Sequence, residues 1–446
     1  MMELIAAIPL VGGLLATLLP FVVVLGIVVF IHEFGHYIVG RWCGIEAEVF
    51  SLGFGKEIWH RMDKRGTRWR IGILPLGGYV KFLGDADGSS RPDRNTIDQL
   101  AEDERSRSFP GAALWKRALT VAAGPVANFL LSIVIYSGLV LSSGVGVEEP
   151  RLGELPASVA AEVPLEEGDL VLAVNGDPVE SFVDLVVYVA ELESGTSIQF
   201  LVDRNGEELL LDVPLLQAPF VAGIRPLSAA SRAGIEPGDL IVAADGAPLP
   251  DFDTLKDAVA AKAGEEMVIT VRRGDERMDL TMVPTIEDVQ EPDGTFVRRP
   301  IIGVSLSGYL EPAIESAGFV RALGIGVDRT WGVVSATFEG IGQMFAGNVS
   351  PTNLQGPVGI AQVSGETASY GLTSFILLVA LISTAIGLMN LMPVPVLDGG
   401  HLVFYAIEAV TGRPAQGKWV DVAMAIGIAM VLSLMLFATY NDLTRL

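Results

Sequence analysis

The chain has a single cysteine, Cys43, and only four histidines in 446 residues. One thiol cannot build an internal disulfide framework, so any exported part must be held by packing alone. Basic residues are scarce too. Thirty Lys and Arg stand against 53 Asp and Glu, which leaves no cationic footprint and excludes nucleic acid as a partner. No Lys or Arg precedes Arg41, and no charge of either sign interrupts residues 5–31. A cleaved signal peptide would carry a basic start and a shorter apolar run, so this segment is expected to remain as a membrane anchor. It is long enough, since about 20 apolar residues cross a bilayer. Half of all residues are apolar and the mean hydropathy is +0.47, too high for a purely soluble protein. The length allows two or three domains.

What is present is concentrated. Two of the four histidines fall at the end of the apolar run, in Phe30-Ile-His32-Glu33-Phe34-Gly35-His36-Tyr37. Four residues apart on a helix, both imidazoles project from one face and can reach one zinc ion. Glu33 beside them can take a proton from water activated by the metal. Ionisable side chains at membrane depth cost at least a few kcal/mol each, so three within five residues ask for a compensating function. Cys43, seven residues past His36, is not expected to be a ligand.

The first span is read over residues 8–31, running on helically to Arg41. Residues 41–117 carry 14 of the 30 basic residues, which puts this loop, and the metal motif before it, toward the cytoplasm. Within the loop, residues 49–83 alternate short apolar stretches with turns at Gly53-Phe54-Gly55 and Leu76-Gly77-Gly78-Tyr79, the pattern of β-hairpins. Such strands at membrane depth must pack on protein or border a wet cavity. Their edge could clamp an extended peptide by strand addition, or form an ordinary cytoplasmic hairpin. Residues 84–108 read as a polar linker. A second span over residues 112–141 contains Ala123-Gly124-Pro125-Val126-Ala127-Asn128, small residues that permit close helix packing. Asn128 either bonds a neighbouring helix or serves the site.

Beyond this span the chain turns acidic, with 33 acidic and 11 basic residues over 144–316, and an internal repeat appears. Glu167-Gly168-Asp169-Leu170-Val171 recurs as Pro237-Gly238-Asp239-Leu240-Ile241, and Asn175-Gly176-Asp177-Pro178 as Asp245-Gly246-Ala247-Pro248. Each copy predicts a strand, a tight turn, a helix and further strands. The pattern resembles tandem PDZ domains, which commonly bind extended peptide ends; the copies could equally act as spacers without a ligand.

Residues 303–348 are apolar but broken by Arg321, Asp328, Arg329 and Glu339, which suits an amphipathic helix on the membrane surface. A third span is expected over residues 372–392 and a fourth over 420–437, with Arg413 and Lys418 in the short cytoplasmic loop between them. At the end of the third span, Pro393 and Pro395 forbid a regular helix, so the backbone opens beside protein or water. Asp398 follows directly. His32, His36 and Asp398 would form a two-histidine, one-carboxylate zinc site with a fourth position for water. His401 is the rival third ligand.

Taken together, His32 to His36, Gly53-Phe54-Gly55-Lys56, Pro75 to Lys81, Ala123 to Asn128, the repeats and Asn390 to Leu402 resemble the site-2 protease family of intramembrane zinc metalloproteases. The resemblance covers nearly the whole chain. Some ten extra apolar residues at the start and a charged insertion near residues 91–105 depart from the family pattern. The fold it implies is a polytopic α-helical membrane protein of about four spans with a membrane-associated β-hairpin region and two exported PDZ-like α/β domains. The expected divisions are a membrane core over 1–143, PDZ-like domains over 144–217 and 218–286, a linker and surface helix over 287–350, and a second membrane core over 351–446. The family assigns zinc to the residues matching His32, His36 and Asp398, the acid/base role to Glu33, and contact with substrate backbone or the reacting carbonyl to Asn390. Gly53, Phe54, Gly55, Gly77, Gly78, Tyr79, Pro393 and Pro395 are the expected substrate-binding positions. The implied substrate is a single-span membrane protein, such as an anti-sigma factor or a remnant signal peptide, trimmed by another protease before cleavage in its membrane segment. The implied setting is the bacterial inner membrane and its lipid, with both termini and the repeats on the periplasmic side. An inactive membrane scaffold would tolerate loss of Glu33, and Glu33 is intact. A metal transporter would need more spans and a polar path.

Overall fold

The computed structural model describes residues 12–85, 101–160, 163–192, 197–214, 219–274, 276–290, 295–415 and 417–444. Most of the linker read over 84–108 and the start of the first span fall outside them. The chain forms two compact units: residues 1–139, 319–347 and 351–446 in one, and residues 140–318 and 348–350 in the other.

The first unit is built on apolar helices. Helix α1 (Gly12–Trp42) carries the histidine pair. Two long antiparallel strands follow, β1 (Ala47–Met62) and β2 (Arg68–Phe82). Both fold back on themselves, so four short segments lie side by side in the order 57–62, 68–72, 49–52, 78–82. The bend needs Gly53: its φ is +81°, and a Cβ there would lie 2.6 Å from the Leu74 carbonyl oxygen. Residues 78–82 end up as an edge. Helix α2 (Leu114–Ser143) comes next, and after the second unit come α3 (Phe319–Ala346), α4 (Pro357–Ser369), α5 (Leu372–Leu391), α6 (Asp398–Thr411) and α7 (Lys418–Thr444). Among the described residues, α1, α2, α5 and α7 are long and apolar enough to cross a membrane. Helix α3 is not among them, and it begins at Phe319 rather than near residue 303 because a strand and an irregular stretch come first.

Lipid provides no hydrophobic drive between helices, so close packing and hydrogen bonds must hold them. Gly35 of α1 meets α2, where a Cβ would come within 2.4 Å of the Ala123 oxygen and 2.8 Å of the Ala127 Cβ. Helices α2 and α5 are tied by Ser132 Oγ donating to the Ala380 carbonyl at 2.8 Å and Ser383 Oγ donating to the Asn128 carbonyl at 2.9 Å. Val24 and Val28 of α1 interlock with Leu378 and Val379 of α5.

In the second unit the repeat is visible in the backbone. Each Asx-Gly turn takes positive φ at both central residues, 52° and 90° at Asn175-Gly176 and 47° and 78° at Asp245-Gly246, as a tight hairpin turn with native twist requires. Each copy buries an aspartate under a two-pronged arginine. Arg204 grips Asp169 at 2.7 and 2.8 Å, and Arg273 grips Asp239 at the same distances. The boundary read at residue 286 falls short. Strand Val304–Ser307 pairs with Phe220–Ile224 and completes the second repeat's sheet. Residues farther on return to the first repeat: Tyr309 and Leu310 join its core around Leu152, Val171 and Phe200, and Ile314–Glu315 pairs with Val145–Gly146.

Candidate active site

Helix α1 brings His32 and His36 onto one face, with Nε2 atoms 3.2 Å apart. The proline-broken segment after α5 turns back at Gly399 and Gly400, which have no room for a side chain: a Cβ at either would lie 2.2 Å from a carbonyl oxygen, that of Leu391 or Val394. This tight return sets Asp398 at the start of α6. Its Oδ2 lies 3.1 Å from His32 Nε2 and 3.4 Å from His36 Nε2. Burial opposes ionisation of Asp398, but the imidazoles beside it more than offset this and hold its pKa well below the usual carboxylate range.

These three residues fit a zinc ion. Ligands at about 2.0–2.1 Å from a tetrahedral centre lie roughly 3.3 Å apart, close to the separations found. Asp398 Oδ2 is buried and accepts no properly directed hydrogen bond, so a cation would satisfy an otherwise orphaned charge. His36 Nδ1 lies 2.9 Å from the Thr120 carbonyl oxygen. An N–H donated there fixes the tautomer and leaves the Nε2 lone pair for metal. The ring is also walled in by Gly124, where a Cβ would fall 2.3 Å from His36 Nε2. Neither Thr120 nor Gly124 was singled out from the sequence as a site residue. Thr120 acts through its backbone carbonyl, which leaves no side-chain signal, whereas Gly124 sits in the small-residue stretch of the second span and could have been suspected.

A cavity of about 170 Å3 opens beside the three residues, lined by Glu33, Asn390, Leu397 and the strand residues Gly78, Tyr79 and Val80. It is smaller than the roughly 300–1,000 Å3 of small-molecule pockets, enough for a reacting bond rather than a whole ligand. Glu33 and Val80 share the cavity lining, and a Cβ on Gly78 would come within 3.0 Å of Glu33 Cγ. The edge segment 78–82 therefore runs directly along the candidate base. Of the other expected substrate-binding positions, Gly53, Phe54, Gly55, Gly77, Pro393 and Pro395 do not line this cavity. Phe54 stacks on Tyr79 with ring centroids 6.2 Å apart, and Pro395 packs against the backbone of α7 at Gly427. His401 also lies outside the lining and meets Phe404 edge-on at 6.3 Å.

Residues 20–434 match the family model for peptidase family M50. A protein of Agrobacterium fabrum, by name a candidate zinc metalloprotease, is 39% identical over 438 residues, covering 98% of this chain and 97% of its own. The regulator of sigma-E protease of Salmonella typhimurium is 34% identical over 461 residues, covering 97% of this chain and all of its own. Among solved structures, the PDZ domain of an SdrC-like protein from Listeria monocytogenes aligns with 20% of this chain and 87% of its own at 22% identity, with a TM-score of 0.17, too slight a likeness to bear on the fold. A family match over nearly the whole length, together with relatives above 30% identity at full coverage, means that the chain belongs to peptidase family M50, the site-2 protease family.

Proposed function

We propose that this metalloprotease is a zinc-dependent, multi-pass inner-membrane enzyme that cleaves the membrane segment of single-span proteins already trimmed on their outer side. An anti-sigma factor is the proposed substrate, with remnant signal peptides as a further class. The observation that carries this reading is the convergence of His32, His36 and Asp398 beside Glu33 and Asn390, in a cavity bordered by the edge segment 78–82. His32, His36 and Asp398 would hold the zinc ion, which when bound supplies a Lewis acid and brings the pKa of water near 7.

The remaining work falls to the chain. Glu33, next to the ligands and packed against Gly78 of the edge segment, accepts the proton of the attacking water and returns it to the leaving amine. Asn390 offers an amide N–H to the reacting carbonyl. A membrane helix hides its peptide bonds in its own hydrogen bonds, so it must unwind before attack. The edge segment offers replacement hydrogen bonds by strand addition, with Phe54, itself packed on Gly77, stacked against Tyr79 and the Pro393 to Pro395 break leading into the lining residues Val396, Leu397 and Asp398. The basic residues of 41–117 favour a cytoplasmic position for the site and a periplasmic one for the repeats. The repeats are proposed to screen out untrimmed substrates or to bind peptide ends.

Reconstitution in vesicles with a single-span substrate, offered with and without its outer domain, tests the reading. Cleavage within the membrane segment of the trimmed form is expected. Cleavage confined to soluble regions would overturn it.

A further inference from the structure

Asn128 of α2 is fully buried, and its side-chain amide lies against the second nitrogen of His32, with Nδ2 3.3 Å from His32 Nδ1. In this orientation the amide oxygen Oδ1 is buried without any partner. Amide oxygen and nitrogen are assigned from their surroundings, and turning the amide by half a rotation resolves the orphan. Oδ1 then accepts a hydrogen bond from His32 Nδ1–H. The consequence reaches the metal side of the ring. As drawn, an Nδ2–H donated to Nδ1 would put the His32 proton on Nε2, the atom that faces Asp398, and remove its lone pair. Reversed, the proton sits on Nδ1 and the Nε2 lone pair is available.

We infer that Asn128 is a positioning residue for the metal centre, holding His32 in the Nδ1–H tautomer through its side-chain oxygen. This rests on the zinc reading above. His36 has the same arrangement through the Thr120 carbonyl, so each histidine is oriented by an acceptor on α2. The Asn128 backbone is itself fixed from both sides, since its carbonyl accepts from Ser132 Oγ at 3.1 Å and from Ser383 Oγ at 2.9 Å. Gly387 of α5 faces it, and a Cβ there would lie 3.2 Å from the Asn128 Cβ. The amide is thus held against His32.

The test is zinc affinity of the purified full-length protein, measured by competition with a chelator, for wild type, Asn128→Leu, Asn128→Asp and Ser132→Ala. Removing a partner that orients a ligand lowers metal affinity about 10- to 100-fold, and this loss is expected for Asn128→Leu. Asn128→Asp keeps the acceptor and should hold zinc within a few-fold of wild type. Ser132→Ala removes one of the two hydroxyls that fix the Asn128 backbone but leaves the amide in place, and should lower zinc affinity less than Asn128→Leu. A purely structural asparagine predicts the reverse order, with the near-isosteric leucine tolerated and the buried carboxylate damaging; that result would overturn the proposal, as would equal affinity in all four proteins. If the wild type itself took up no zinc, the metal reading would fall and this proposal with it, a pattern distinct from a wild type that binds and a leucine variant that binds equally well.

Discussion

Adding one methyl group at Gly124 should disable the metal centre without unfolding the protein. A Cβ there would sit 2.3 Å from His36 Nε2 and 2.4 Å from Cε1, more than 1 Å inside van der Waals contact, which for carbon pairs is roughly 3.5–4.0 Å. The ring cannot simply retreat. Its Nδ1 is bonded to the Thr120 carbonyl at 2.9 Å, and a movement of about 1 Å at a catalytic constellation costs on the order of 100-fold in rate. For Gly124→Ala we therefore expect zinc affinity to fall about 10- to 100-fold and cleavage by at least as much. Stability should change little, because alanine gains about 1 kcal/mol of helix propensity over glycine against an overpacking cost of about 1–3 kcal/mol. Gly138→Ala on the same helix is the control, since a Cβ there meets nothing within 4 Å. Zinc content, chelator competition and thermal unfolding in detergent, run on both variants, make the comparison. Wild-type zinc affinity and activity in Gly124→Ala would refute the claim that His36 is held rigidly between Thr120 and Gly124.

Asp398→Ala should lose zinc and activity, whereas His401→Ala should keep most of both, since only Asp398 lies within 3.1–3.4 Å of the histidine nitrogens; metal analysis showing the opposite would reverse the ligand assignment. Arg117 and Glu408 form a two-pronged ion pair at 2.6 and 3.2 Å, with the guanidinium also 5.2 Å from the Tyr405 ring centroid, and so tie the start of α2 to the helix that Asp398 opens. Arg117→Met strands a largely buried carboxylate and should destabilise by about 3–5 kcal/mol, and the further change Glu408→Met should recover much of it; thermal unfolding of the single and double variants would expose an unimportant pair as one with no loss in either.

The spacing of His32 and His36 was readable because a helix converts four residues into one face. Asp398 was readable because two prolines mark where the backbone must open. The turns at Asn175-Gly176 and Asp245-Gly246 followed from residues that tolerate positive φ. What sequence could not convey were contacts made through backbone or through the absence of a side chain. The Thr120 carbonyl, the Gly124 surface against His36 and the direction of the Asn128 amide exist only once α1 and α2 approach. The repeat boundaries failed for a related reason. Residues 304–307 and 309–315 lie far along the chain from the strands and cores they complete, and no periodic marker links them. A deletion intended to remove the repeats should accordingly span residues 144–318, since one ending at residue 286 leaves these closing segments without partners.

The central claim, that this fold hydrolyses peptide bonds with zinc held by the α1 histidines and Glu33 as the base, is tested most directly by Glu33→Gln. The variant keeps every proposed ligand and the shape of the side chain, and removes only the proton acceptor. Zinc content and cleavage of a reconstituted single-span substrate should be measured on the same preparation. Wild-type zinc occupancy is expected, with cleavage reduced by at least about 100- to 10,000-fold. Cleavage at the wild-type rate by a zinc-loaded Glu33→Gln protein would contradict it.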